Sequence, residues 1–272
     1  MSVKTPPLGI LQGRLTPSPD GSIQFFPKDN WEKEFVIAKQ LGFDCMEWLI
    51  KKESYEENPL RRPYRNYLKD TLEIPILSVH GFYDKNPHYS SILGNIIEYS
   101  SAIGARTVLI SFFKDNALKS ESDKKLALKQ ILPALQVYKN TSVRLGIETE
   151  MPARELLEFV GSFDHSDVGV YYDIGNMASI GVDVVEEIKF LGNLICGVHV
   201  KDRLANGGKT VPLGEGCADF EGAFRALCQV GYKGPFIIQG ARVAGMDDID
   251  LNREYFHFCK DLLQKTYGGG GR

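Results

Sequence analysis

The fold is decided in the second half of the chain, where three apolar runs read RLGIE (144–148), VGVYYD (168–173) and ICGVH (195–199). Each run has the length of a buried strand, and a helical pattern follows each of the first two. Each also ends on a side chain that binds metals: Glu148, Asp173 and His199. Two carboxylates and an imidazole at the ends of successive parallel strands predict a divalent-metal site.

The same alternation of strand and helix extends over the whole chain. Eight strand candidates occupy residues 8–14, 45–50, 74–80, 107–113, 144–148, 168–173, 194–200 and 235–239. Eight helical patterns alternate with them, at residues 31–42, 60–72, 90–103, 120–140, 152–160, 182–191, 220–231 and 252–266. Strand–helix repeats of this number predict an α/β protein with a parallel sheet closed into a (β/α)8 TIM barrel.

We expect one barrel domain over residues 1–267 and a flexible glycine-rich tail at 268–272. An open doubly wound sheet is the alternative architecture. Two features argue against it: no GxGxxG motif follows the first strand, and polar residues end nearly every strand rather than only those beside a switch point.

Composition excludes several classes of protein. A net charge of −3 over 272 residues gives no basic balance of the kind that binds nucleic acid. No apolar stretch approaches the roughly 18 residues that cross a membrane, and no signal-peptide pattern opens the sequence. Five scattered cysteines without a CxxC pair indicate a reducing compartment, so we expect a cytoplasmic protein.

Other side chains at or near strand ends, polar ones and one tryptophan, are candidates for substrate binding. They are Gln12, Trp48, His80, Glu150, Asn176 and Arg203, with Lys201 as a candidate catalytic group. His80 could be a ligand, a substrate contact or a hydrogen-bonded buried histidine, and we favour a substrate contact. Trp48 could pack in the core or form one wall of a sugar pocket. Glu47, in the second strand, receives no role.

Each main candidate also has a structural interpretation. Glu148 and Asp173 could cap the helices or turns that follow them, and an isolated His199 would more often be a core histidine. Their joint occurrence at three successive strand ends favours the metal site. Lys201 and Arg203 could receive a phosphate or carboxylate, or could form ion pairs with Asp202 or Glu215.

Three motifs carry a resemblance to a known family: DIGN (173–176), HVKDR (199–203) and PLGEGCADF (212–220). They resemble the xylose isomerase-like TIM-barrel superfamily, which holds sugar and sugar-phosphate isomerases and epimerases, inosose dehydratase and endonuclease IV enzymes. The resemblance covers nearly the whole chain. The three-zinc site of endonuclease IV needs more histidine ligands than the five histidines here supply, because His88, His165 and His257 fall in predicted loops or helices.

The resemblance implies four metal ligands, of which Glu148, Asp173 and His199 match the first three. The fourth position, usually Glu, is Gln239. An amide oxygen can bind Mg²⁺ or Mn²⁺ but cannot carry a proton. In the epimerases that this chain resembles, the first and last Glu act as bases on opposite faces of the substrate. Glu148 and Gln239 hold those catalytic positions here.

The resemblance therefore implies a divalent-metal-dependent (Mn²⁺, Mg²⁺, Zn²⁺ or Co²⁺) sugar or sugar-phosphate isomerase or epimerase. Such an enzyme transfers a proton next to a carbonyl through a metal-stabilised enediolate. The alternatives are a dehydratase similar to inosose dehydratase, and a catalytically impaired sugar-binding homologue that has lost the fourth carboxylate. The expected partner is a small sugar or sugar phosphate, with no nucleic acid and no membrane. A homo-oligomer is compatible with the sequence.

Overall fold

Eight parallel strands close into a barrel in a computed structural model that describes residues 5–61, 68, 71–137, 141–163 and 166–268. The barrel strands are β1 (Leu8–Leu11), β2 (Cys45–Leu49), β3 (Ile76–His80), β4 (Thr107–Phe112), β5 (Arg144–Thr149), β6 (Val168–Asp173), β7 (Ile195–Val200) and β10 (Phe236–Ile238). Their order around the barrel is β1-β10-β7-β6-β5-β4-β3-β2. The (β/α)8 prediction is confirmed, and the open sheet is excluded.

Helices cover the outside of the barrel. They are α1 (Trp31–Leu41), α2 (Tyr89–Ala102), α3 (Glu121–Val137), α4 (Ala153–Gly161), α5 (Ile174–Ser179), α6 (Val184–Leu191), α7 (Phe220–Gln229) and α8 (Asp248–Tyr267). The helix predicted over 60–72 falls largely outside the described residues, as do the end of the 120–140 prediction and most of the 268–272 tail. None of the helices in the described part of the chain is long and apolar enough to cross a membrane.

Two elements were not predicted from the sequence. The short helix α5 follows β6 directly, and a two-stranded antiparallel hairpin forms from β8 (Asp202–Arg203) and β9 (Thr210–Val211) after β7. Both stand at the carboxyl ends of barrel strands, which is the face that carries active sites in TIM barrels.

The first strand is shorter than predicted. It ends at Leu11 rather than at residue 14, and Gly13 has a φ of +84°, which an extended strand does not allow. The first helix ends at Leu41, and Gly42 is its C-cap, with a φ of +94° and an N–H that bonds to the carbonyls of Ala38 and Lys39. Pro152 is the N-cap of α4 rather than its first residue.

Side-chain alternation along the strands divides the core into two parts. On β2, Met46 and Trp48 point outward and pack under the helices, whereas Cys45, Glu47 and Leu49 point into the barrel. Leu11, Cys45, Leu49 and Ile237 form an apolar cluster inside the barrel. Glu148, Asp173 and His199 stand at or near the carboxyl ends of their strands.

Candidate metal centre and cavity

Three metal-binding side chains meet at the carboxyl ends of β5, β6 and β7. Asp173 and His199 are register partners on neighbouring strands, so both leave the barrel wall at the same height. The Nδ1 atom of His199 lies 3.0 Å from Oε1 of Glu148 and 3.9 Å from Oδ2 of Asp173. One ligand atom from each of the three residues lies within 4.8 Å of the others. The structure thus brings together the triad that the sequence pattern singled out.

His199 lies between two carboxylates in the barrel interior. Its Nε2 atom is 2.7 Å from Oε1 of Glu47, and its Nδ1 atom faces Glu148. Burial alone would lower the pKa of the imidazole, but the charges of Glu47 and Glu148 and the hydrogen bonds to them raise that pKa to about 10. The metal-free chain therefore holds a proton on each ring nitrogen at neutral pH.

The two carboxylates of the triad differ in electrostatic environment. Burial opposes ionisation of Glu148, but the charge of His199 and its hydrogen bond outweigh burial and lower the pKa of Glu148. Burial raises the pKa of Asp173; Lys201, whose Nζ lies 3.8 Å from Oδ2, only partly offsets this, and Glu148 raises the pKa further. Asp173 is thus a buried acid that lacks enough positive charge around it.

The triad fits a divalent cation. Oδ1 of Asp173 accepts the backbone N–H of Asn176 and caps α5, so the helix-cap interpretation of Asp173 also holds. Its Oδ2 atom is buried and has no hydrogen-bond donor in the described structure. An orphaned carboxylate oxygen beside a second carboxylate and an imidazole nitrogen is the donor set that Mn²⁺, Mg²⁺, Zn²⁺ or Co²⁺ accepts.

Glu148 of the triad lines a cavity of about 490 Å³, whereas Asp173 and His199 are buried and do not line it. Its walls include several of the predicted substrate-binding and catalytic residues: His80, Glu148, Glu150, Asn176, Lys201, Arg203 and Gln239. Gln239 is buried, and its backbone N–H bonds to the carbonyl of Val200, which places its side chain beside β7. The walls also include Gln24, Lys114 and Lys209, which the sequence reasoning missed because loops carry them and no spacing rule marks them.

Arg203, a cation on the cavity wall, is held in place by several hydrogen bonds. Arg203 donates to the carbonyls of Gly207 and Gly208 and to the side chains of Glu150 and Asn176. The alternative ion pairs with Asp202 or Glu215 do not form: Lys201 lies beside Asp173 and Arg203 pairs with Glu150. Asp202 is buried and accepts the backbone N–H groups of residues 214, 216 and 218. The segment that carries the PLGEGCADF motif (212–220) is therefore a turn folded around Asp202.

Two predicted substrate contacts lie away from the cavity. Trp48 faces outward from β2, donates its indole N–H to Asn58 and packs against Phe26 and Trp31, because its neighbour Glu47 occupies the inward face. Gln12 is buried after the shortened first strand, and its amide oxygen accepts the backbone N–H of Leu49. The packing interpretation of Trp48 is the one that the structure supports.

Glu47 is a polar residue of the second predicted strand to which the sequence analysis assigned no role. Its carboxylate is completely buried in the barrel and accepts hydrogen bonds from His199, Ser78 and Tyr171. Burial opposes ionisation, yet the attraction and hydrogen bond of His199 outweigh it, so the pKa of Glu47 is lowered. A single acid at an inward position of the otherwise apolar strand CMEWL was the available signal.

Comparison with known proteins matches residues 35–254 to the model of the xylose isomerase-like TIM barrel. The chain belongs to that family. L-Ribulose-5-phosphate 3-epimerase UlaE from Escherichia coli O1:K1 / APEC is 26% identical over 261 residues, covering 88% of each chain. The putative L-ribulose-5-phosphate 3-epimerase SgbU from E. coli K12 is 24% identical over 245 residues, covering 77% of this chain and 83% of its own.

Solved structures of the family share the fold. A structure of L-ribulose 3-epimerase superposes with a TM-score of 0.75 at 16% identity, covering 96% of this chain and 95% of the other. A structure of the IOLI protein with a bound zinc atom also reaches 0.75 at 16% identity, covering 96% and 99%. The resemblance inferred from the sequence motifs is confirmed, and these relatives support an enzyme of the isomerase class.

Proposed function

We propose that this protein is a divalent-metal-dependent sugar or sugar-phosphate isomerase or epimerase that transfers a proton next to a carbonyl through an enediolate. The observation that carries the proposal is the convergence of Glu148, Asp173 and His199, with Glu148 lining a polar cavity. When bound there, Mn²⁺, Mg²⁺, Zn²⁺ or Co²⁺ supplies a Lewis acid that polarises the substrate carbonyl.

Glu148 is the proposed base. It lines the cavity and is otherwise buried, and in the metal-free chain burial opposes its ionisation while the charge of His199 lowers its pKa. An ionised carboxylate on the cavity wall can accept a proton from the carbon next to the carbonyl when that carbon lies within hydrogen-bond reach. Lys201, on the same wall, is the second candidate for moving a proton.

Gln239 decides what kind of proton transfer the site can support. An amide cannot take up or deliver a proton, so Gln239 orients a substrate hydroxyl or contributes an oxygen to the metal. Isomerisation between an aldose and a ketose needs one base on one face of the substrate. Inversion at a carbon needs a donor on the other face, and the cavity offers His80, Lys201 and Glu150 for that role.

The cavity walls favour a phosphorylated substrate. Lys114 and Lys209 are exposed on the walls, and neither has an acidic partner within the described residues. Lys114 has a φ of +52°, a conformation that residues with a side chain rarely adopt and that recurs at ligand-binding sites. The two lysines would hold the phosphate, while Asn176 and the braced Arg203 would contact sugar hydroxyls.

A second candidate follows from Gln239. Loss of the fourth carboxylate also suits a dehydratase similar to inosose dehydratase, or a sugar-binding homologue with little turnover. The two candidates differ in what they do to a carbon-bound hydrogen. An isomerase or epimerase exchanges it with solvent, a dehydratase releases water, and a binder does neither.

The test is proton exchange in D₂O with the Mn²⁺-loaded enzyme and a panel of ketopentoses, ketohexoses and their phosphates. We expect deuterium to enter the carbon next to the carbonyl without net loss of water. Glu148→Gln should abolish exchange, whereas the matched Glu187→Gln, a partly buried acid outside the cavity that accepts from Ala153 and Tyr172, should retain it. Full exchange in Glu148→Gln would remove Glu148 as the base, and dehydration without exchange would support the second candidate.

A further inference from the structure

The carboxylate of Glu47 is a completely buried acceptor with three donors. His199 Nε2 lies 2.7 Å from Oε1, and Oε2 accepts from Ser78 Oγ at 2.7 Å and from the hydroxyl of Tyr171 at 2.5 Å. Glu47 does not line the cavity that holds the proposed base. Its position therefore lets it act on the metal ligand His199 without touching a substrate.

The barrel makes room for this arrangement. The ring of Tyr171 occupies the space next to two inward-facing glycines: a Cβ added to Gly146 would lie 3.1 Å from it, and one added to Gly197 only 2.1 Å from it. A buried ion pair is seldom more stable than apolar residues of the same volume. Two glycines make space for Tyr171, and Tyr171 and Ser78 donate to Glu47. This arrangement points to a role of Glu47 other than stability.

The two nitrogens of His199 face different partners. Nε2 points to Glu47, and Nδ1 points to Glu148 and Asp173. A histidine that binds a metal through one nitrogen must be free of a proton there, and it commonly donates its other N–H to a carboxylate. In this barrel that donated N–H is Nε2–H, so the lone pair falls on Nδ1, beside the two acids.

We infer that Glu47 is a positioning residue that holds His199 as the Nε2–H tautomer and thereby aims Nδ1 at the cation between Glu148 and Asp173. This inference rests on the metal site of the proposed function. A carboxylate that accepts from a ligand imidazole also increases the electron density on the other nitrogen. Tyr171 and Ser78 keep Glu47 in place by donating to the oxygen that His199 does not use.

The same geometry argues against a second cation. Glu47, His80 and His199 also offer three ligand atoms within 4.8 Å of one another. Both oxygens of Glu47 are already engaged by hydrogen-bond donors, and Nε2 of His199 can bind a metal only by giving up its proton to Glu47. We therefore expect one ion per chain.

The experiment titrates metal-stripped protein with Mn²⁺ and follows the free ion by electron paramagnetic resonance, which yields the Kd and the number of sites. Glu47→Gln keeps an oxygen that can accept from Nε2–H but removes the charge. We expect one Mn²⁺ per wild-type chain and a Kd about 10- to 100-fold weaker in Glu47→Gln.

Glu34→Gln is the matched control. Glu34 is another acid with no exposed surface, and it accepts from the backbone of Gly13 and Leu15 and from Thr16, away from His199. We expect its Gln variant to lose stability and to keep the wild-type Kd. An unchanged Kd in folded Glu47→Gln, or two ions per chain, would overturn the inference.

A measurement on the wild-type protein needs no variant to fold. In the Zn²⁺-loaded chain with ¹⁵N-labelled histidine, long-range ¹H–¹⁵N spectra should show a protonated Nε2 and a metal-bound Nδ1 for His199. A metal-bound Nε2 would contradict the role of Glu47. Failure of the wild-type chain to bind Mn²⁺ would instead defeat the metal site of the proposed function and the inference with it, so the two failures are distinguishable.

Discussion

Asp173 and His199 pair in register on β6 and β7, and the unbonded oxygen of the aspartate lies 3.9 Å from the imidazole nitrogen that faces it. The other oxygen of Asp173 caps the helix that follows β6. One side chain therefore anchors the local backbone with Oδ1 and leaves Oδ2 for the proposed metal site, so mutation can separate the two roles.

Asp173→Asn should remove the metal site and leave the helix cap, because the amide oxygen can still accept from Asn176 while the amide nitrogen cannot bind a cation. At a concentration of Mn²⁺ about 100-fold above the Kd, wild-type protein should gain about 2.7 kcal/mol of stability from binding. A thermal melt with and without Mn²⁺ measures that gain, and the variant should show none.

Asp183→Asn provides the control for Asp173→Asn. Asp183 caps α6 through Val185 and Glu186 and lies outside the cavity. Its variant should keep the whole stabilisation by Mn²⁺. A full Mn²⁺ effect in Asp173→Asn would show that Asp173 is not a ligand.

Gln239→Glu should strengthen metal binding, because it supplies a fourth ligand with a negative charge at a buried position on the cavity wall. We expect a Kd for Mn²⁺ about tenfold lower, since charged ligands tune such sites over several orders of magnitude. Calorimetric titration measures the change. Gln24→Glu brings the same charge into the cavity from a loop and should have a smaller effect; an equal effect would mean that position 239 is not a ligand position.

Removing the two wall lysines should distinguish phosphorylated from free sugars. In the Lys114→Ala, Lys209→Ala double variant we expect KM for a ketose phosphate to rise at least tenfold, because two charge-assisted contacts are lost, with little change for the free ketose. Steady-state kinetics on matched substrate pairs gives the ratio. The exposed Lys119, outside the cavity, serves as the alanine control. Equal losses on both substrates would argue against a phosphate contact.

The metal-stripped protein should lose stability as the pH rises. The pKa of His199 is about 10 in the fold and 6.5 in its ordinary state, so the folded chain holds the proton more tightly than the unfolded chain. The resulting stabilisation is fully present below about pH 6.5 and is lost as the pH rises through about 10. Urea unfolding of the chelated protein across that range measures it.

His199→Asn should lack this part of the pH dependence, whereas His257→Asn, on the outer surface of α8, should retain it. If the stripped wild-type protein and His199→Asn lose stability in parallel, the imidazole is not held between two charged acids.

Gly197→Ala tests the packing around Tyr171. The added Cβ would lie 2.1 Å from the ring, and overpacking of this kind costs about 1–3 kcal/mol. Gly161→Ala, in α4 with no atom within 4 Å of the added Cβ, should be neutral or slightly stabilising. Unfolding in urea compares the two, and an equal stability of both variants would show that Tyr171 is free to move away.

The sequence predicted most of the barrel because parallel strands covered by helices leave a strong pattern. The strands at 45–50, 107–113 and 168–173 differ from the observed ones by no more than a residue or two. The first strand was predicted too long because a strand-like pattern of apolar and polar residues continues past Gly13. The positive φ of Gly13 shows that the backbone turns there. The hairpin at 202–211 was missed because its strands are only two residues long.

By itself the sequence determined the closed barrel and the convergence of Glu148, Asp173 and His199, since residues that end successive parallel strands must lie at one rim. Only the tertiary structure decided that Glu47 contacts His199, that Trp48 belongs to the core, and that lysines from two loops face the cavity. Those contacts join residues far apart in the chain. They depend on strand register, on side-chain alternation and on the space left by two glycines, which no local pattern encodes.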